Sequence, residues 1–296
     1  MNCLVITADD FGLAREVNEA VEIGCSNGIL SAASLMVSSA HAADAVERAS
    51  RLPRLRVGLH LALVAAAPTL PARQIPHLVD PKGRLRSDLV RLGLDLVMSE
   101  AARDEMRGEI EAQFRAFVST GLPLDHVNVH RHFHLHPIVG AMVIDIGARF
   151  GARAMRVPRE PPRTVQSSSL NGKMIEDLCS RLLGRRARRC GVMSPDAVFG
   201  LRWSGGMTRA RLRLLLDSLP RGFWEIYTHP ATRDVFPGSA PGYQYVEELE
   251  ALVDPANGEA LARSGHRLGG YQDAVARRSN AGGARVGGGG AWSNAG

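Results

Sequence analysis

Five of the ten histidines fall in one run, Asp125-His126-Val127-Asn128-Val129-His130-Arg131-His132-Phe133-His134-Leu135-His136-Pro137. Neutral imidazole is the commonest protein ligand for divalent transition metals, so this density points to metal-assisted chemistry. The run opens with strand-like alternation, and alternate side chains of a strand share a face. An extended strand would therefore carry His126, His130, His132, His134 and His136 on one side. A single ion cannot take them all, because a catalytic zinc-type site uses about three protein ligands and keeps one position open. The other ligands must come from elsewhere in the chain.

Three further places offer polar groups at the ends of apolar runs. Asp9 and Asp10 follow Cys3-Leu4-Val5-Ile6-Thr7-Ala8, His60 closes the run Arg56-Val57-Gly58-Leu59-His60-Leu61, and His229 follows Phe223-Trp224-Glu225-Ile226-Tyr227-Thr228. Adjacent carboxylates repel unless a cation or hydrogen bonds offset them. Each group alone has a plain structural role: a carboxylate after a strand caps a helix or forms a turn, and a strand-end histidine is commonly a hydrogen-bonded core residue. In a parallel α/β barrel, however, residues at the C-terminal ends of strands converge on one site. That makes Asp9 or Asp10, His60, His130 and His229 a candidate constellation.

The elements needed to position them are legible. Apolar runs at 3–8, 34–37, 56–61, 125–130, 154–157 and 223–228 alternate with helical patterns at 17–27, 42–49, 100–118, 209–219, 246–253 and 258–264, the order of a βαβ chain with a parallel sheet. Met106, Ile110, Phe114 and Phe117 recur at helical spacing, and Gly28 ends the first predicted helix. The Pro-rich segment 65–88 is long for a barrel connection, which suggests a functional loop. Residues 158–208 read as a lid-like elaboration holding Arg181, Arg185, Arg186, Arg188 and Arg189. One domain over 1–270 and a disordered glycine-rich tail over 271–296 complete the expected organisation.

Composition sets outer limits. At 296 residues with 45% hydrophobic content the chain can bury a sizeable core. No stretch reaches the ~20 apolar residues of a membrane span, and no basic-then-apolar leader opens the chain, so a cytoplasmic protein is expected. The four cysteines form no C-x-x-C pair, which argues against a disulfide framework or thiolate metal site. The net charge of +6 is largely arginine, but with 5% aromatics and no basic–aromatic interleaving nucleic acid is excluded as a partner. The arginine cluster fits either a solvated helix end or an anionic membrane face.

Four segments in order, Thr7-Ala8-Asp9-Asp10-Phe11-Gly12, Gly58-Leu59-His60-Leu61, the His126 to His134 run and Glu225-x-x-x-His229-Pro230, resemble the motifs of YdjC-like carbohydrate deacetylases, among them chitooligosaccharide deacetylases. The resemblance spans roughly residues 1–270. It implies an α/β fold, a distorted (β/α) TIM-like barrel related to polysaccharide deacetylases, that removes acetyl groups from N-acetylated sugars with one divalent metal ion, Mg2+ or Zn2+. Residues 58–64 and 124–137 are most similar to the hopanoid-biosynthesis-associated branch, which implies an N-acetylglucosaminyl hopanoid lipid as substrate.

Carried over by position, the resemblance makes Asp10, His60 and His130 the metal ligands. On the chemistry of amide hydrolysis, Asp9 is then assigned as general base and His229 as general acid, with His132, His134 and Arg156 facing the substrate; Arg156 could instead orient Asp9. Two departures stand out, Asn128 where family members often have Asp and Arg131 where they often have His. The rival functions are a chitooligosaccharide deacetylase, a metallophosphoesterase and a non-catalytic sugar-binding barrel. The partners to be tested are an N-acetylated sugar or glycolipid, a second copy of the chain in a homodimer, and a peripheral contact with the inner face of the cytoplasmic membrane.

Overall fold

Nine consecutive residues, Cys3–Phe11, are buried at every position and form β1. A strand covered on both faces is apolar over most of its length, as Cys3 to Ala8 is apart from Thr7, and it belongs in the middle of a parallel sheet. The computed structural model describes residues 2–161 and 170–283, the side chains of 170–174 and 278–283 excepted. After β1 come α1 (Arg15–Asn27), β2 (Ala32–Leu35), α2 (Ala42–Ser50), β3 (Arg56–Leu61), α3 (Leu89–Met98), α4 (Glu100–Ser119) and β4 (Val127–Val129). A 3-10 segment, His130–Leu135, leads into α5 (Pro137–Arg149), α6 (Leu170–Arg189), β5 (Ala197–Phe199), α7 (Arg209–Ser218) and β6 (Phe223–Thr228). The last elements are α8 (Tyr245–Val253), α9 (Pro255–Ser264), β7 (Arg267–Leu268) and α10 (Tyr271–Gly283).

All the strand pairs are parallel, in the order β4-β3-β2-β1-β6-β5, with β7 added at the start of β1. Beyond β4 the curve continues through single bridges, Val127 to Met155 and Ala154 to Met193, and the chain passes from Met193 into β5. The ring is thus a ladder-paired half-barrel whose remaining wall is held by isolated bridges: a distorted α/β barrel, as the motifs implied. Its core is one large apolar cluster that includes Leu4, Ile6, Leu35, Leu59, Val129 and Ile226 from the strands and Phe114 and Phe117 from α4.

Several boundaries depart from the sequence reading. The strand predicted over 154–157 is reduced to those bridges. Two helices escaped the pattern search: α3, which leaves Val90, Leu94, Val97 and Met98 exposed, and α5, whose Pro137 stands at its first turn. The elaboration over 158–208 holds α6 and β5, with 162–169 outside the described residues. The tail does not start at 271: Tyr271 is fully buried and opens α10, because its backbone N–H donates to Asp125 and its ring lies against Phe223. Residues 284–296 lie outside the described part of the chain.

The histidine run leaves the sheet one residue before the predicted end of its strand at His130. The strand ends at Val129, and Arg131 and His132 take left-handed backbone angles, φ 53° and 54°. The run therefore coils instead of alternating, and its histidines separate.

Candidate active site

At the C-terminal end of β1, Asp10 also has positive φ, 60°, which aims its carboxylate across the mouth of the barrel. Its Oδ1 lies 3.3 Å from His60 Nε2 on β3 and 3.2 Å from His130 Nδ1 just after β4, and the two imidazole nitrogens are 3.3 Å apart. These three atoms form a near-equilateral triangle in which buried Asp10 Oδ1 has no hydrogen-bond partner. Edges of that length fit the ligand atoms of one ion bound at about 2.0–2.1 Å. Burial pushes the Asp10 carboxyl up, but His130 and His60 outweigh it and hold the group well below the usual range. Burial likewise pulls the His60 imidazole down, and Asp9 and Asp10 raise it above its ordinary value. The triangle is a set of donors that seeks positive charge, and the residues fit a divalent cation. Among the described residues it is the one cluster of this kind.

A network of hydrogen bonds fixes these side chains. Asn128 Oδ1 is 2.7 Å from His60 Nδ1, which makes Nδ1 the protonated nitrogen and leaves the Nε2 lone pair facing Asp10. The same amide donates to Asp9 Oδ1 at 3.0 Å and to Ser34 Oγ at 2.9 Å. Ser34 meets His126 Nε2 at 3.0 Å, and His126 Nδ1 rests 2.9 Å from Asp125 Oδ2. Asparagine at this position does what aspartate could not, since it donates to the neighbouring carboxylate while accepting from the imidazole.

Asp9 is held from behind. Both its oxygens accept from the Arg156 guanidinium, Oδ2 at 2.5 Å and Oδ1 at 3.0 Å, and Arg156 also forks onto Glu225. Glu225 in turn accepts from Thr7 Oγ1 and from the Tyr271 hydroxyl. Burial raises the Asp9 carboxyl, yet Arg156 beside it prevails and keeps it ionised far below the usual range. Arg156 is completely buried and stacks under the Tyr227 ring at 4.6 Å. It lies beneath Asp9 and is not among the residues that line the cavity above it.

A cavity of about 950 Å³ opens over the triangle. Asp9, Asp10, His60, His130, His132 and His229 line it, together with Arg131, Tyr227 and Tyr243. Of the residues predicted to face substrate, His132 lines this cavity and His134 does not. His134 is fully buried, and its Nε2 lies 3.0 Å from the Arg156 carbonyl oxygen. His136 turns toward Gly93 of α3. His229 follows β6, with its ring against Tyr227 and Tyr243 and its backbone N–H on the buried carboxylate of Glu248. The non-glycine residues with positive φ among the described residues, Asp10, Ala65, Arg131 and His132, all line this cavity. Such conformations cost energy and persist where surrounding structure imposes them, commonly at functional sites.

Sequence reasoning gave no role to Glu225, Tyr227, Asn128 or Ser34, although Glu225 stood in the motif that ends at His229-Pro230 and Asn128 stood out as a departure from the family. The period-two placement of Glu225 and Tyr227 before His229 was a further signal, since the strand needs no polar residue for its own sake.

The chain is similar to known proteins over most of its length. The family model described as YdjC-like protein matches residues 3–263. A carbohydrate deacetylase of Geobacillus stearothermophilus is 30% identical over 272 residues, 91% of this chain and 96% of that protein. A chitooligosaccharide deacetylase of Proteus mirabilis is 31% identical over 278 residues, 92% and 98% of the two chains. In fold, a crystal structure from Enterococcus faecalis V583, described as a candidate cellobiose-phosphate cleavage protein, matches with a TM-score of 0.71 at 24% identity, covering 92% of this chain and 99% of that one. By the extent of the family match, the chain belongs to the YdjC-like protein family.

Proposed function

We propose that the protein is a metal-dependent hydrolase that removes the acetyl group from an N-acetylated amino sugar. The observation that carries this reading is the Asp10–His60–His130 triangle with an ionised, clamped Asp9 beside it on one cavity. The deacetylase relatives support the same chemistry. When bound at the triangle, a divalent ion supplies Lewis acidity toward the acetyl carbonyl and lowers the pKa of a neighbouring water. A donor set of two imidazoles and one carboxylate suits zinc, and the family resemblance admits magnesium.

The chain's own residues supply the proton transfers. Asp9 accepts a proton from the attacking water, whose oxygen bonds to the acetyl carbon. Arg156 and Asn128 hold Asp9 in place, so no reorientation is needed at that moment. The C–N bond then breaks, and His229, across the cavity, donates a proton to the departing amine. Acetate and the free amino sugar are the products. Tyr227, Tyr243 and His132 give apolar edges against which a sugar ring can rest.

Within this class, the substrate we favour is an N-acetylglucosaminyl hopanoid lipid, on the wording of residues 58–64 and 124–137. Exposed Ile175, Leu178 and Leu182 on α6, which flanks the cavity through Glu176, Asp177 and Ser180, support a peripheral contact with a membrane. Among the described residues no helix is long and apolar enough to cross one. A chitooligosaccharide substrate is the second reading, supported by the Proteus mirabilis relative.

The test is acetate release from N-acetylglucosaminyl hopanoid and, in parallel, N,N′-diacetylchitobiose. Chelation abolishes release and added Zn2+ or Mg2+ restores it. Asp9→Asn keeps the bound metal and loses about 10²–10⁴-fold in turnover. Full turnover in Asp9→Asn sinks the base assignment, and release from neither substrate sinks the proposed activity.

A further inference from the structure

Arginines in this protein commonly rest on carboxylates, as Arg48, Arg56, Arg86 and Arg156 do. Along one side of α6 that pattern fails. Arg153, Arg159, Arg181, Arg185 and Arg188 line a second cavity of about 1140 Å³, and all five are exposed. Among the described residues none of the five guanidinium groups has an ion-pair or side-chain hydrogen-bond partner. One carboxylate lines the cavity, Asp196, and its Oδ2 is occupied by the Phe223 backbone N–H at 2.9 Å. Arg181, Arg185 and Arg188 recur at helical spacing and form one stripe, whereas Arg186, one position off, pairs with Asp145 at 3.0 Å.

The groove shares a wall with the acetyl-hydrolysing cavity. Val157 and Arg159 face the groove, while Pro158 and Glu160, the alternate residues of the same extended passage, line the other cavity. Ser180 of α6 lines both and donates its hydroxyl proton to the Pro158 carbonyl. Like charges crowded in one groove repel one another, and a ligand with spread negative charge removes that cost. A guanidinium fork matches two oxygens of a phosphate at once.

We propose that this groove is a binding site for phosphate groups, set against the wall of the deacetylase cavity. The site does not depend on the deacetylase reading, since its occupancy is measured by binding alone. The phosphate is that of an anionic phospholipid headgroup or of a small soluble phosphate. Ile175, Leu178 and Leu182 form an apolar stripe beside the arginines, the layout of a helix lying in a bilayer interface.

The experiment uses the full chain in two arms: calorimetric titration with inorganic pyrophosphate, and sedimentation with vesicles of phosphatidylcholine, with or without phosphatidylglycerol. Wild type binds in at least one arm, and binding weakens as salt rises. Arg181→Glu/Arg185→Glu/Arg188→Glu weakens it by at least about tenfold, while Arg73→Glu/Arg91→Glu/Arg107→Glu, an equal charge change elsewhere, weakens it far less. Should the first variant fail to fold by thermal melting, Arg185→Gln/Arg188→Gln replaces it. Phosphatidylglycerol-dependent sedimentation identifies the headgroup as the source; pyrophosphate binding without it identifies a soluble phosphate. No binding in either arm, or equal loss in the two triple variants, overturns the proposal.

Discussion

Arg156 sits between two carboxylates with no access to water, and its removal separates electrostatic from steric roles. Asp9 and Glu225 are 3% and 0% exposed, so without the guanidinium both would be buried charges lacking a counter-ion. Breaking a buried pair in this way costs about 3–5 kcal/mol. Arg156→Met is therefore expected to lower the unfolding free energy by that amount, read as a lower urea midpoint, and to abolish acetate release. Arg156→Lys restores the charge but not the double fork, because a lysine offers a point charge on a flexible stem. It should recover part of the stability and little of the turnover, as read by denaturation and by acetate assay on the same preparation.

The strands act through where they stop. β4 delivers Asn128 into the network beneath the site and ends so that His130, the next residue but one, meets Asp10 and His60. β3 contributes a vacancy as well as His60: a Cβ built on Gly58 would lie 2.5 Å from the His126 ring, which stacks on Tyr271 of α10 at 4.5 Å between centroids. Glycine is required there by that close approach. Gly58→Ala is expected to cost about 1–3 kcal/mol through overpacking, seen as a lower denaturation midpoint at unchanged slope. Since His126 holds Ser34 and Ser34 holds Asn128, metal affinity measured by competition with a chelator dye should fall in the same variant. Unchanged affinity would mean that the chain from His126 to His60 carries no orientation.

Across the whole molecule, imidazoles held neutral by burial, His134 among them, set a pH limit on folding. Burial pulls His134 from 6.5 down to about 4, so as pH falls the unfolded chain takes up the proton before the folded one does. The stability from its neutral form is complete above about pH 6.5 and is lost between there and about pH 4, some ~3 kcal/mol in all. His134→Gln, which can still donate to the Arg156 carbonyl, should flatten this part of the stability curve. Urea midpoints for wild type and variant at about pH 7, 5.5 and 4 check it; parallel curves would assign the acid sensitivity to other groups.

The sequence by itself determined the parallel βαβ order and the residues that meet at the mouth. Burial on both faces demands continuous apolar runs, and polar groups following such runs can only gather at the strand ends. Asp9, Asp10, His60, His130 and His229 were legible for that reason, and they line one cavity. Periodicity could not say where the histidine run leaves the strand, because two left-handed residues, Arg131 and His132, are imposed by the surroundings and carry no glycine to mark them. Nor could it distinguish the five histidines of that run. Tertiary structure sent His126 into the core network, His130 to the carboxylate of Asp10, His132 to the cavity, His134 onto a backbone carbonyl and His136 against α3. It also decided that Arg156 lies under Asp9 and that Tyr271 is core and not tail. Those contacts join residues far apart in the chain, through hydrogen bonds and charges that leave no local pattern to read.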